Sequence, residues 1–229
     1  MKPVIHVVIP ACNEALSIDK VISEIPEGRV AETIVVNNAS TDNTAAVARN
    51  AGATVLDEPR PGYGNACLTG IQYSTRQSPQ PEVIVFLDGD YSDYPEEMET
   101  LIQPILDNKA DLVIGSRALG ERERGSMTVQ QIFGNWLATH LLRLLFGTRF
   151  TDLGPFRAIR FSSLRNLNMQ DKNYGWTVEM QIKSAKQKLR CLEVPVRYRK
   201  RIGVSKVSGT LKGTIMAGYK ILYTLFKHW

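Results

Sequence analysis

The chain has 229 residues, 43% hydrophobic and 22% charged, with a formal net charge of +5, which suggests one large domain with a substantial core. Cys12, Cys67 and Cys191 are odd in number and far apart, and His6, His140 and His228 are scattered, which excludes a disulfide framework and a zinc site and fits a reducing cytoplasm. No segment reads as a secretory leader, and no apolar run approaches the roughly 18 residues of a spanning helix.

The net charge hides an asymmetry. Residues 1–115 carry 7 Lys/Arg against 17 Asp/Glu, whereas residues 116–229 carry 21 against 6. The second half is therefore expected either to attract anions (phosphates or an acidic membrane surface) or to form a solvated basic face. Nucleic acid does not fit the acidic first half, and no recognition motif for it appears.

Taken in order, Val4 to Ile9 reads as a first strand stopped by Pro10. Asn13 is a helix-cap candidate with Glu14 in the first turn, and Ile18, Val21, Ile22 and Ile25 follow at helical spacing until Pro26. Thr33 to Val36 is a second strand. The polar run Asn37 to Thr44 follows it, with Ser40 to Asp42 as cap candidates for a helix reaching Arg49. Ala53 to Leu56 is a third strand. The loop Pro59 to Ala66 opens a helix, and its small residues suit either a phosphate near the backbone or a tight turn.

Ile84 to Leu87 is a continuous apolar run, as expected of a buried parallel strand, and it stops at Asp88-Gly89-Asp90. Ligands of open α/β sheets sit at the carboxyl ends of strands. Two carboxylates so close repel unless a cation lies between them, and their oxygens suit Mg²⁺ or Mn²⁺. Asp and Gly are also ordinary turn residues. A helix start at Pro95-Glu96-Glu97 and a strand over Leu112 to Ile114, ending in Gly115-Ser116-Arg117, complete the alternation. The pattern predicts an α/β fold with a mostly parallel sheet and helices on both faces.

Beyond Arg117 the pattern changes. A helix is expected with a stripe of Phe133, Leu137, Leu141 and Leu144, widened by Trp136 and Leu145. Residues 151–157 form a turn into a short strand, and Trp176 to Lys188 a helix carrying Glu179. Cys191 to Val196 reads as a strand that Pro195 places at an edge. The basic loop Arg197 to Lys206 follows. From Leu211 on, Ile215, Gly218, Leu222 and Leu225 repeat at helical spacing with Lys212, Lys220 and Lys227 off the stripe. This amphipathic C-terminal helix suits a membrane interface, a core position or a homodimer contact.

Six pieces now stand in order: Pro10 to Glu14, Asn37 to Thr44, Gly62 to Ala66, Asp88-Gly89-Asp90, Gly115-Ser116-Arg117 and Arg201 to Lys206. Together they resemble family 2 glycosyltransferases of the GT-A (Rossmann-like) fold, and most of all the dolichol-phosphate or polyprenyl-phosphate mannosyl- and glucosyltransferases, over about residues 3–210. The resemblance implies a GT-A domain over 1–210, with a nucleotide-sugar-binding half (1–117) and an acceptor-side half (118–210), followed by the helical segment 211–229.

It further implies a donor site of Pro10, Ala11, Asn13, Glu14, Asn37, Asn38, Gly64, Asp88, Gly89, Asp90, Arg201, Ser205 and Lys206. Asp88 and Asp90 match the metal pair for Mg²⁺ or Mn²⁺. Arg117 and Arg157 fall on the acceptor side, Glu179 is either acceptor-facing or structural, and Asp90, Arg117, Asp152 and Arg201 fall at the reacting centre. Asn37-Asn38-Ala39-Ser40 departs from the commoner Asp-Asp-Gly-Ser, so the donor base, uracil or guanine, stays open.

The expected reaction is inverting transfer of a hexose from a GDP-mannose or UDP-glucose type donor to a polyprenyl phosphate, by a protein peripheral on the inner face of the membrane. A soluble hydroxyl acceptor is the alternative, and it would need a base such as Asp152 or Asp93. A sugar nucleotidyltransferase or a non-catalytic nucleotide- or membrane-binding module lies further off.

Overall fold

The computed structural model describes residues 2–203 and 211–229; Ser205 and Lys206, and the side chains of residues 211–215 and 217, Lys212 and Ile215 among them, lie outside the described part. Seven strands form one sheet: β1 (Ile5–Ala11), β2 (Glu32–Asn38), β3 (Thr54–Glu58), β4 (Val83–Phe86), β5 (Leu112–Ser116), β6 (Arg157–Arg160) and β7 (Cys191–Pro195). Their order is β3-β2-β1-β4-β6-β5-β7, all parallel except β6, which runs antiparallel to both neighbours.

Alternation along the strands builds two core layers. Val7 and Ile9 of β1 pack with α1 (Ile18–Ser23), α2 (Thr44–Asn50) and α4 (Met98–Leu106). Val8, on the opposite face, packs with α3 (Tyr63–Thr75), α6 (Phe161–Leu167) and α7 (Trp176–Lys186). Burial on both faces is why β4 and β5 read as unbroken apolar runs. The mostly parallel sheet with helices on both faces agrees with the expected GT-A architecture, and β7 takes an edge, as Pro195 implied.

Several local expectations are corrected. Pro10 does not end β1. Pairing with β4 stops at Val8, while pairing with β2 continues through Ala11, so the missing N–H of Pro10 falls where no neighbour requires it. Asn13 is not a helix cap: it sits at φ +54° in the loop, and Ser17 precedes α1. Helix α6 was not expected, although Phe161, Leu164 and Leu167 mark its buried face.

Helix α5 (Val129–Phe146) is present, but its buried side is centred on Ala138, Thr139 and Leu142. Phe133, Trp136 and Leu144 of the expected stripe are exposed. Only the later turns of α5 join the third cluster, with α7 and α8 (Leu211–Lys227), while the first turns are held to the 151–153 turn through Asn135. In α8, Leu225 is buried and Ile221 and Leu222 are partly so, while Gly218, Met216, Tyr219, Tyr223 and Phe226 face outward.

Candidate active site

In the sheet order β1 is flanked by β2 on one side and β4 on the other, so connections leave it in opposite directions. Such a switch point opens a crevice at the carboxyl ends of the strands. The loops after β1, β2 and β4 meet there, and short polar side chains lace them. Asn13 Oδ1 accepts from the Thr41 amide at 2.7 Å, the Asn13 amide donates to Ser40 Oγ at 3.0 Å, and the Glu14 amide donates to Thr44 Oγ1 at 2.8 Å. The polar run 37–44 is thus a brace for the loop after β1, with Pro10 and Ala11 at the strand end beneath it.

Asn38 reaches the third wall. Its Nδ2 donates to the carbonyls of Glu58 and Arg60, and its Oδ1 accepts from the Gly62 amide at 2.8 Å, fixing the turn into α3. Asn37 Nδ2 donates to Asp57 Oδ1 at 2.7 Å. An amide at the end of β2 thus holds a carboxylate from the next strand. Sequence reasoning missed Asp57 because the pairing is across strands.

Asp88 and Asp90 follow β4 around buried Gly89. Burial first, and then the Asp90 charge, push the Asp88 carboxyl up to about 7. Asp88 Oδ1 is buried without a hydrogen-bond partner among the described residues. Asp90 is anchored: Oδ1 accepts from the Ser92 amide and hydroxyl, and Oδ2 lies 3.1 Å from Arg201. A buried, unpartnered oxygen beside a second carboxylate fits a hard divalent cation. Asp93 lies buried beside them, its carboxyl raised well above the usual range by burial and then by Asp88 and Asp90.

Arg201 bridges the two loops, since its guanidinium also reaches Glu14 Oε1 at 3.2 Å. The segment after β7 is strapped over the Asp90 loop: Arg199 N donates to Ser92 O, Ile202 N donates to Asp90 O, and the Arg199 guanidinium pairs with Glu24 and stacks on Tyr91. This strap delivers the basic stretch to the carboxylates.

On the other side of Asp90, Arg117 and Asp152 form a nearly buried pair. Arg117 Nε and Nη2 donate to the two Asp152 oxygens at 2.8 and 2.7 Å, and the Arg117 amide adds a third bond at 2.7 Å. Burial alone would lower the Arg117 pKa, but Asp152 holds it above the ordinary value. Next to the pair opens a cavity of about 610 Å³. Arg122, Arg143 and Arg149 line it together with Ile132, Trp136 and Phe150. Arg143 is on α5, and Arg122 and Arg149 are in the connections before and after it, so no local spacing announced them.

Arg157, expected on the acceptor side, lies elsewhere, and Glu179 takes the structural one of its two expected roles. Arg157 is fully buried, and its guanidinium donates to the carbonyls of Leu153, Gly154 and Thr177. Burial pulls its pKa down to about 10. It pins the 151–156 turn onto α7 and does not line the cavity. Glu179 is also buried; it accepts from the amides of Gln170 and Asp171 and pairs with Lys183 at 2.8 Å.

The sequence profile described as Glycosyl transferase family 2 matches residues 6–167. An uncharacterized glycosyltransferase of Mycobacterium bovis is 35% identical over 216 residues, 93% of this chain and 94% of that protein. An undecaprenyl-phosphate mannosyltransferase of Micrococcus luteus is 29% identical, over 90% of this chain and 88% of that one. Among solved structures, glucosyl-3-phosphoglycerate synthase from Mycobacterium tuberculosis, in complex with Mn²⁺, UDP and glucosyl-3-phosphoglycerate, superposes with a TM-score of 0.77. It is 23% identical over 99% of this chain and 80% of that one.

Proposed function

Because the chain belongs to glycosyl transferase family 2, we propose that it transfers a hexose from a nucleotide sugar to a polyprenyl phosphate, with inversion at the anomeric carbon. The carrying observation is the cavity beside Arg117 and Asp152. Three arginines and an apolar wall of Ile132, Trp136 and Phe150 suit an acceptor with an anionic head and a hydrocarbon tail. The similarity to an undecaprenyl-phosphate mannosyltransferase supports the same acceptor class.

The donor would lie over the crevice of β1, β2 and β4, with its diphosphate toward Asp88 and Asp90. Those two would hold Mg²⁺ or Mn²⁺, which when bound neutralises charge growing on the leaving diphosphate. Arg201 stands beside Asp90 to receive part of that charge, and Ser205 and Lys206 follow it in sequence. Asp152 is engaged on both oxygens by Arg117, which suits positioning better than proton removal. A phosphate acceptor is already an anion near neutral pH and needs no base.

A membrane-surface location agrees with this reading. No helix of the described residues is long and apolar enough to cross a membrane, but α5 and α8 expose Trp136, Phe133, Tyr219 and Phe226 beside basic residues. The deciding experiment offers a radiolabelled nucleotide sugar to a short polyprenyl phosphate, to the matching polyprenol, and to a small phosphorylated hydroxy acid. Label in the lipid phosphate alone bears the proposal out. Label in the alcohol or the hydroxy acid alone replaces it with hydroxyl transfer.

A further inference from the structure

The loop that opens α3 is held by the segment between α6 and α7 through main-chain contact. The Asn65 amide donates to the Lys172 carbonyl at 3.0 Å. A Cβ on Gly62 would come within 2.2 Å of the Lys172 carbonyl oxygen, and one on Gly64 within 2.0 Å of the Asp171 carbonyl oxygen. No side chain fits there, so the two backbones meet directly. Gly62 also donates to Asn38, so this contact is continuous with the wall of the donor crevice.

The same segment is gripped from behind. Asp171 Oδ1 accepts from the amides of Asn173 and Gly175 at 2.7 and 3.1 Å, closing a tight turn. Glu179, anchored on α7, accepts from the amides of Gln170 and Asp171. The other Asp171 oxygen lies 3.1 Å from Lys220 Nζ on α8, and that carboxylate is 7% exposed. Gly175 packs so closely on α8 that a Cβ would lie 2.4 Å from Thr224 Oγ1. The segment 170–175 is therefore clamped between the C-terminal helix and the donor loop.

We propose that α8 sets the shape of the donor loop through Asp171 and Lys220, so that docking of this helix and binding of the nucleotide are coupled. Asp171 and Lys220 are positioning residues: they reach the donor only through the carbonyls of residues 171–172 and the amides and glycines of residues 62–65. The direction of the coupling follows from the packing. Release of α8 removes the Lys220 contact of Asp171 and the Thr224 wall, and the segment 170–175 can then retreat from Gly62 and Gly64. By linkage, a nucleotide that needs the loop in place must in turn tighten α8. A helix carrying Met216, Tyr219, Tyr223 and Phe226 on its outer face is thereby tied to the chemistry.

The inference rests on the donor reading above, and the tests separate the two. Binding of UDP and of GDP, each with Mn²⁺, is measured by calorimetry on the full chain. Lys220→Met should raise the nucleotide Kd and the donor KM by about fivefold with kcat within about twofold, and Lys220→Arg should restore both. Nucleotide binding to the wild type alone should also slow amide hydrogen exchange across residues 216–227, a readout that needs no variant to fold. Unchanged exchange in α8 on saturation, or a Lys220→Met protein with wild-type Kd and KM, overturns the coupling and leaves the donor site standing. A wild-type chain that binds neither nucleotide overturns the donor reading, and the coupling with it.

Discussion

Asp152 holds Arg117 at three points: its two carboxylate oxygens accept from Nε and Nη2 of one guanidinium and from the main-chain amide of the same residue. The pair joins the end of β5 to the turn before β6 and forms one shoulder of the arginine-lined cavity. Asp152→Asn should destabilise the fold by about 3 kcal/mol, because it leaves a buried guanidinium without its counter-charge. Its remaining activity should keep the wild-type pH profile, since no proton passes through Asp152. Loss of the acidic limb of the profile in this variant would assign it the role of base.

Asp90→Ala should lower turnover by on the order of 10²-fold or more while the protein stays folded. Asp90 contributes charge at the crevice, and the core layers lie elsewhere. Excess chelator should abolish wild-type turnover, and Mn²⁺ or Mg²⁺ should restore it. Full turnover in chelator would remove the metal from the proposal.

The cavity makes a separate prediction. Arg143→Ala and Arg149→Ala should each raise the acceptor KM by about tenfold, the worth of one charge-assisted contact. The donor KM should stay put, since both residues line the cavity beside Asp152 and neither is among the hydrogen-bond or ion-pair partners of Asp90. Equal acceptor KM in both variants would place the acceptor elsewhere.

Vesicle binding tests the outward faces of α5 and α8. The protein should sediment with anionic vesicles at low salt and less so at high salt, each surface Lys or Arg contributing about 1 kcal/mol. Deleting residues 211–229 should weaken this, and Trp136 fluorescence should shift to the blue on binding. Identical recovery with and without vesicles would count against the membrane.

Away from the site, Asp111 accepts from the Arg190 amide and guanidinium, and its carboxyl is held down to about 2, chiefly by the Arg190 side chain. A depressed folded pKa stabilises above the unfolded value near 4, and this contribution disappears as the pH falls through about 2. Asp111→Asn should cost about 1–2 kcal/mol at pH 7, allowing for screening at half-exposed Arg190. Urea titrations should show the gap between variant and wild type closing toward pH 2. A gap that persists at pH 2 would mean the charge is not its source.

The parallel strands were legible because Val83 to Phe86 and Leu112 to Ile114 are buried on both faces and leave a continuous apolar signature. The reversal at β6 was not, because Arg157 and Arg160 bracket only two apolar residues. The carboxylates after β4 stood out by position, whereas the ion pairs of Arg201 with Glu14 and Asp90 join segments far apart in sequence and had no local signal. Arg157 misled for a physical reason. A lone arginine after a Gly-Pro turn looks like an anion ligand, but this one is consumed by main-chain carbonyls. The exposed half of α5 was equally hidden: periodicity marks an apolar stripe but not whether anything covers it.

The antiparallel β6 has a consequence for how such a chain can vary. The polypeptide leaves the sheet at the end of β5 and re-enters on the adjacent rung, where the Gly115 amide donates to the Phe156 carbonyl at 2.9 Å. Everything between, including α5 and the arginines at 122, 143 and 149, is a single excursion whose two feet are stapled side by side. Lengthening a closed loop costs little once its ends are fixed. The arginine-lined rim can therefore vary in length and shape at small cost to the strand ends that carry Asp88 and Asp90.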